Sequence, residues 1–169
     1  MNTVLTAKLK LHTTPEQFHA LRATQLASRD ALNDVSRSAF AHGKMSNQEG
    51  LQDGTYQEIR SRFGLPAQMA CSVPRQVGAT DKTLWTKVKA NAAARAAGHT
   101  KQRYRGLDQP PKYVAPTLTY QLGHDDGFKS GQQVSLLTLQ GRVSVPYTGS
   151  ACHVERIHHS ARLGAAKLW

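Results

Sequence analysis

The sequence has few of the features that mark secreted, membrane-spanning or disulfide-bonded proteins. Only two of its 169 residues are cysteines, and Cys71 and Cys152 belong to no C-x-x-C pair. Two isolated thiols indicate reduced cysteines rather than a disulfide framework, with Cys71 interpreted as a small buried apolar residue. No apolar run is long enough to span a bilayer, and Lys8 and Lys10 interrupt the stretch where a signal peptide would lie. These absences predict a soluble, cytoplasmic protein with no membrane partner.

Acidic residues are scarce, which bears on catalysis. The chain has 11 Asp and Glu against 22 Lys and Arg. Two-metal phosphodiester cleavage needs several carboxylates around cations about 4 Å apart. The one adjacent pair, Asp125 and Asp126, lies between Gly123 and Gly127, and we interpret it as part of a turn rather than as a catalytic pair. Since a glycine-rich phosphate loop is absent too, we predict no catalytic residues in this chain.

Near the carboxy terminus lies a group of residues whose side chains could bind a metal ion, but their spacing in the sequence is not that of a known metal site. The group consists of Cys152, His153, Glu155, His158 and His159. Its spacing matches no common zinc pattern, so exposed or phosphate-facing histidines are the preferred interpretation. A Cys–His nucleophile would need an orienting partner that the sequence does not offer. We predict no metal site and no cofactor in this chain.

Positive charge is what the chain has in excess. The formal net charge is +11 at neutral pH. A solvated basic surface is one explanation, but so large a surplus in so short a chain favours a polyanionic partner. Such binding weakens steeply with salt. Nucleic acid is therefore the expected partner.

The cations concentrate between residues 81 and 113. A predicted helix over residues 81–98 carries four of them, and an extended basic segment with two tyrosines follows. Cations at helical spacing next to aromatics suit a phosphate backbone with stacked bases. The predicted contacts are Lys82, Lys87, Lys89, Arg95, Lys101, Arg103, Arg105 and Lys112, with Tyr104 and Tyr113 as stacking platforms. Trp85, in the same helix, is interpreted as a core residue.

The first half of the chain follows a strand and then helical patterns. Residues 4–11 alternate between apolar and polar, as in a half-buried strand. Thr14 and Gln17 form a capping box with Pro15 between them, and the apolar stripe that begins at Phe18 predicts a helix to about residue 41. A polar connection over residues 46–54 and a short helix over residues 55–63 follow.

A corner and a set of strands complete the pattern. Gly64 and Pro66 suit a tight joint between helices, with Phe63, Leu65 and Met69 in the core. The next helix covers residues 67–80, where Pro74 should kink it or start a new one. Strands are predicted over residues 117–122, 134–139 and 143–146, the last ended by proline, then a helix over 153–161 and a strand beginning near residue 165. Periodicity thus predicts an α+β fold.

Two segments resemble a known family. Residues 60–70, with the pattern R-x-R-F-G-L-P-A-Q-M-A, resemble the amino-terminal half of transposon-encoded TnpB/OrfB proteins, which are relatives of type V CRISPR effectors. Residues 134–147, V-S-L-L-T-L-Q-G-R-V-S-V-P-Y, resemble the same family. A strand followed by T-P-E-Q at residues 14–17 is similar to its amino terminus.

The resemblance implies a more specific architecture. In the family, strands of this kind form the wedge domain, a small barrel of the oligonucleotide-binding (OB) type, and helices inserted after the first strand form the recognition domain. The implied division is residues 1–12 for the first wedge strand, 13–100 for the inserted helical bundle and 101–169 for the remaining wedge strands.

The resemblance also implies a function. Family members bind a guide RNA, recognise a short motif beside a DNA target, and cut with a RuvC domain that uses Mg²⁺ and usually carries a zinc ribbon. This chain is expected to end before RuvC, and so to hold guide RNA and target DNA without the nuclease centre. Two alternatives remain: a standalone helix-turn-helix DNA-binding regulator, with Gly64 and Pro66 in its turn, and a non-functional remnant of a decayed transposon gene.

Overall fold

The computed structural model describes residues 6–159 and 163–169, and these residues form four helices and six strands. In chain order the elements are β1 (Lys10–Leu11), α1 (Pro15–Ala41), α2 (Gln48–Phe63), α3 (Ala67–Ala96), β2 (Leu118–Tyr120), β3 (Asp126–Lys129), β4 (Gln133–Thr138), β5 (Gly141–Thr148), α4 (Ala151–His159) and β6 (Ala166–Leu168). The predicted α+β class is confirmed. Residues 4 and 5 of the predicted first strand and residues 160 and 161 of the predicted last helix lie outside the described residues.

The chain divides into two compact units. Residues 1–25 and 117–169 form one, which we call the strand unit, and residues 26–116 form the other, the helical unit. Helix α1 contributes its first turns to the strand unit and the rest to the helical unit. The division after residues 12 and 100 that the resemblance implies stays a prediction.

The strand unit is built on a four-stranded antiparallel sheet in the order β1-β5-β4-β3. Val134 of β4 lies opposite Val145 of β5, and both are at most 4% exposed. Leu136 and Tyr147, two residues further along their strands, are buried as well. Because side chains alternate between the two faces of a strand, these residues place one face of the sheet in the core.

Strand β5 continues through Pro146 to Thr148, so the prediction that proline ends it was wrong. The Tyr147 N–H donates to the Gln132 carbonyl at 2.9 Å, which makes Pro146 and Gln133 a non-hydrogen-bonded pair. Strand β4 therefore needs no N–H from Pro146. On the other side the Pro146 carbonyl accepts from the His12 N–H at 2.8 Å, at the end of the short strand β1.

Strands β2 and β6 form a separate antiparallel pair with Leu118 opposite Leu168. The buried Tyr120 hydroxyl donates to the Leu137 carbonyl of β4 at 3.0 Å and so connects this pair to the larger sheet. Across the described residues the strands form two open sheets and no closed barrel.

The predicted capping box begins α1. The Thr14 N–H donates to Gln17 Oε1 at 3.1 Å, and the Gln17 N–H donates to Thr14 Oγ1 at 3.3 Å. The Gln17 amide also donates to the Ser144 carbonyl of β5 at 3.0 Å, which holds the first turn against the sheet. Phe18, which was predicted to start the apolar stripe, is 55% exposed, and the buried stripe of the strand unit begins at Ala20 and Leu21.

The predicted corner between helices is present in the helical unit. Gly64 ends α2 with a φ of 63°, a left-handed conformation that glycine adopts without a Cβ clash. Leu65 and Met69 are 0% and 2% exposed, as predicted. Phe63, also predicted to be in the core, is only half-buried, and the Arg62 guanidinium lies 5.3 Å from its ring centroid.

Two helices of this unit are longer than predicted. Helix α2 begins at Gln48 instead of residue 55, because the Asn47 side chain accepts from the Glu49 N–H at 3.2 Å and caps an earlier start. Helix α3 runs through Pro74 without a new start. Pro74 cannot donate to the carbonyl four residues earlier, but Val73 and Val77, both at most 1% exposed, stabilise these turns through burial.

The solvent exposure of three side chains differs from what the sequence suggested. Asp125 and Asp126 lie at the predicted turn, with Asp126 beginning β3, yet they are 0% and 2% exposed. Burial raises the pKa of both carboxyls. Cys71, interpreted as buried, is half-exposed on α3, and both it and Cys152 are free thiols.

Candidate nucleic-acid interface

All eight cations predicted to contact nucleic acid lie in the helical unit, and all eight are exposed. Four are on α3, and the other four lie in the irregular segment that follows it, residues 97–116, which we call the basic segment. Arg103 pairs with Asp108 at 2.7 Å. The other seven have no ion-pair partner in the described part of the chain, so their charge is available to a polyanion.

The cations of α3 do not share one face. At 100° per residue, Lys82 and Lys89 point in nearly the same direction, while Arg95 points away from them. Arg95 lies on the same face as Trp85, Val88 and Asn91, which follow one another at intervals of three to four residues. One bound strand is therefore expected to contact Arg95 and the basic segment first, with Lys82 and Lys89 outside that line.

Asn91 fixes the start of the basic segment on α3. Its side-chain oxygen accepts from the Tyr104 N–H at 2.8 Å, and its side-chain nitrogen donates to the Gln102 carbonyl at 3.0 Å. The amide thus satisfies two backbone groups that have no helix or sheet partner. Arg103 lies between the two bonded residues, so its backbone is held in place.

A second asparagine fixes the other end of the segment on α1. The Asn33 side chain accepts from the Tyr113 N–H at 2.8 Å and donates to the Tyr113 carbonyl at 2.9 Å. The Ser36 hydroxyl donates to the Pro111 carbonyl at 2.7 Å. These bonds set the position of Lys112, between Pro111 and Tyr113, and order its extended backbone before any ligand arrives.

The two predicted stacking tyrosines have different surroundings. Tyr104 is half-buried, and its ring lies so close to Gly106 that a Cβ at that position would clash with it. The Tyr113 ring is also half-buried, but its hydroxyl is enclosed. Burial raises the pKa of Tyr113, and the nearby Asp81 raises it further. Stacking by either ring stays a prediction.

Arg95, Arg103 and Tyr104 come together in one groove of about 220 Å³. We call it the Trp85 groove, because Trp85 and Val88 of α3 line it beside these three residues, together with Lys44 from the turn that follows α1. The remaining predicted contacts, Lys82, Lys87, Lys89, Lys101, Arg105, Lys112 and Tyr113, lie outside its lining.

Sequence reasoning missed most residues of this groove, and Trp85 and Lys44 are the two that matter for binding. Trp85 was interpreted as a core residue, but it is half-buried and faces the groove, because the buried stripe of α3 ends at Asp81. Its spacing from Val88, Asn91 and Arg95 was a readable signal of one shared face. Lys44 carried no such signal, since its approach to α3 is a long-range contact.

The carboxy-terminal group of potential ligands does not come together. In residues 6–159 and 163–169, no three His, Cys, Asp or Glu side chains are placed to hold a metal ion.

Within those same residues, no helix has the length and apolarity needed to cross a membrane.

Comparison with protein-family models, with curated proteins and with solved structures finds no match to this chain.

Proposed function

We propose that this chain is the amino-terminal, nucleic-acid-binding part of a TnpB/OrfB-like, transposon-associated RNA-guided DNA endonuclease. The observation that carries the proposal is the basic segment, which bears four exposed cations and whose backbone is bonded near each end to an asparagine side chain. A cationic track that is ordered before binding loses less entropy when it meets a phosphate backbone. In this scheme guide RNA and target DNA are the partners, and the protein acts in the cytoplasm.

The architecture supports the proposed division of labour. Strand β1 pairs with β5, although three helices separate them in sequence. An inserted helical bundle within a strand unit is the arrangement that the family resemblance implies for recognition and wedge domains. We therefore assign the strand unit to an OB-like wedge and the helical unit to the recognition bundle.

In this scheme the chain holds guide RNA and target DNA and does not itself cleave the target. Base pairing would read the target sequence, while protein cations hold the backbone and a few side chains read the adjacent motif. Cleavage, with the Mg²⁺ that it needs, is assigned in this scheme to a RuvC portion with its zinc ribbon.

A competition experiment tests the proposal against a helix-turn-helix regulator. The chain is bound to a labelled structured RNA and challenged with that RNA or with a duplex DNA of equal length, at fixed salt. The proposal predicts that the unlabelled RNA displaces the label at the lower concentration. A preference for duplex DNA with palindromic half-sites would instead support the regulator and contradict the proposal.

A further inference from the structure

The Trp85 groove combines aromatic, apolar and cationic residues in one lining. Its lining includes two aromatic side chains, Trp85 and Tyr104, and the buried Leu107, which is 4% exposed. Pockets for drug-sized ligands measure about 300 Å³ or more. A groove of about 220 Å³ therefore suits a smaller group, such as one planar ring system.

The backbone of both aromatic residues is positioned before any ligand binds. The Tyr104 backbone is bonded to Asn91, and its ring lies against Gly106, where any side chain would displace it. Trp85 is carried by the long helix α3. Rigid aromatic faces bind planar rings at a low entropic cost, and every nucleobase has such a face.

The charges around the groove favour an anion attached to that planar ring. Lys44, Arg95 and Arg103 line it, against one carboxylate, Asp108. Asp108 is already paired with Arg103 at 2.7 Å, and the Lys44 ammonium lies 5.3 Å from the Phe40 ring centroid. Arg95, exposed and without an ion-pair partner in the described residues, is the cation best placed to meet a phosphate.

We propose that the Trp85 groove binds one unpaired nucleotide of a bound strand, with its base against Trp85 and Tyr104 and its phosphate near Arg95. This inference rests on the proposed nucleic-acid function and adds a specific site to it. A paired base cannot enter, because its faces are covered by its neighbours in the stack. The groove therefore distinguishes unpaired from paired nucleotides. Both RNA and DNA strands can supply an unpaired base with its phosphate.

Tryptophan fluorescence tests the proposal directly, since the chain has only two tryptophans. Trp169 is 73% exposed, so Trp169→Phe leaves Trp85 as the only indole in an otherwise intact chain. That variant is titrated with a single-stranded RNA, with a DNA strand of the same sequence, and with the corresponding duplex, while binding is followed separately by anisotropy. A base stacked on the indole should quench its emission, and the strand that quenches more identifies the source.

The outcomes separate this inference from the function on which it rests. Binding of a single strand with quenching supports the groove, provided that the duplex quenches less. Binding without a change in Trp85 emission overturns the groove and leaves the proposed function intact. No binding to RNA, DNA or duplex overturns both.

Variants supply a second readout. Trp85→Ala should weaken single-strand binding by about 5- to 100-fold, as expected for the loss of one base–aromatic stack, and Trp85→Phe should restore most of it. Phe18→Ala removes an exposed aromatic of the strand unit and serves as the control, with no expected change. Equal losses from Trp85→Ala and Phe18→Ala, with unchanged melting temperatures, would contradict a specific role for the groove.

Discussion

Binding of the chain to a single-stranded RNA should fall by about 10²- to 10³-fold between about 50 and 200 mM salt. Each phosphate contact releases counterions and contributes about −0.7 to the slope of log K against log salt for a single strand. The four cations of the basic segment together with Arg95 give a slope near −3.5, and all eight predicted cations give one near −5.6. The measured slope thus shows how many of them the strand contacts.

Single substitutions make this count specific. Arg105→Ala should reduce the slope by about 0.7, because Arg105 is exposed and has no ion-pair partner in the described residues. Arg37→Ala is the matched control in the same unit, since Arg37 is paired with Asp34 at 2.9 Å and lies outside the basic segment. A salt titration with a slope near zero would contradict the electrostatic assignment altogether.

Replacing Asp126 with asparagine should stabilise the strand unit near neutral pH. Asp126 is 2% exposed, and neither carboxylate oxygen accepts a hydrogen bond from another side chain among the described residues. Burial raises the pKa of Asp126, the neighbouring Asp125 raises it further, and Arg142 opposes the rise. An isosteric amide has no charge to desolvate, so the free energy of unfolding should rise by about 1–3 kcal/mol near pH 7.

The effect has a definite pH dependence. Because the pKa of Asp126 is higher in the folded state than the value of about 3.9 in an unfolded chain, the folded state binds more protons between the two values. The wild type therefore loses stability as pH rises through that window, and Asp126→Asn should lose less.

Chemical denaturation at several pH values measures the difference between the variant and the wild type. Asp53→Asn, at an exposed position on α2, makes the same change of side chain and serves as the control. A variant that is less stable than the wild type near pH 7 would mean that the Asp126 carboxylate is paired in the folded protein.

Local sequence signals predicted the features that depend on neighbours in the chain. The capping box joins Thr14 and Gln17, three positions apart, and the corner at Gly64 depends on the φ of one residue. The alternation in β4 and β5 reflects a sheet with one buried face. Each of these patterns is decided within a few residues, so the sequence alone contains it.

Features that depend on distant contacts were not predictable in the same way. Asn33 and Asn91 hold the backbone of the basic segment. Asn33 bonds to a residue 80 positions further along the chain, and Asn91 bonds to one 13 positions further along. Pro146 is tolerated in β5 because of the pairing register with β4, and the burial of Asp126 depends on how the strand unit folds over it. Asparagine and aspartate are typical of exposed loops, so composition suggested the opposite of what tertiary contacts produce.

The most direct test of the central claim is charge reversal in the basic segment. Arg103→Glu with Arg105→Glu is compared with Arg22→Glu with Arg156→Glu, which makes the same change in net charge at exposed positions of the strand unit. RNA affinity and melting temperature are measured for both. The first variant should lose at least about tenfold in affinity with little change in melting, and the control should lose much less. Equal losses in the two variants, or a large drop in the melting temperature of the first, would contradict a nucleic-acid interface at the basic segment.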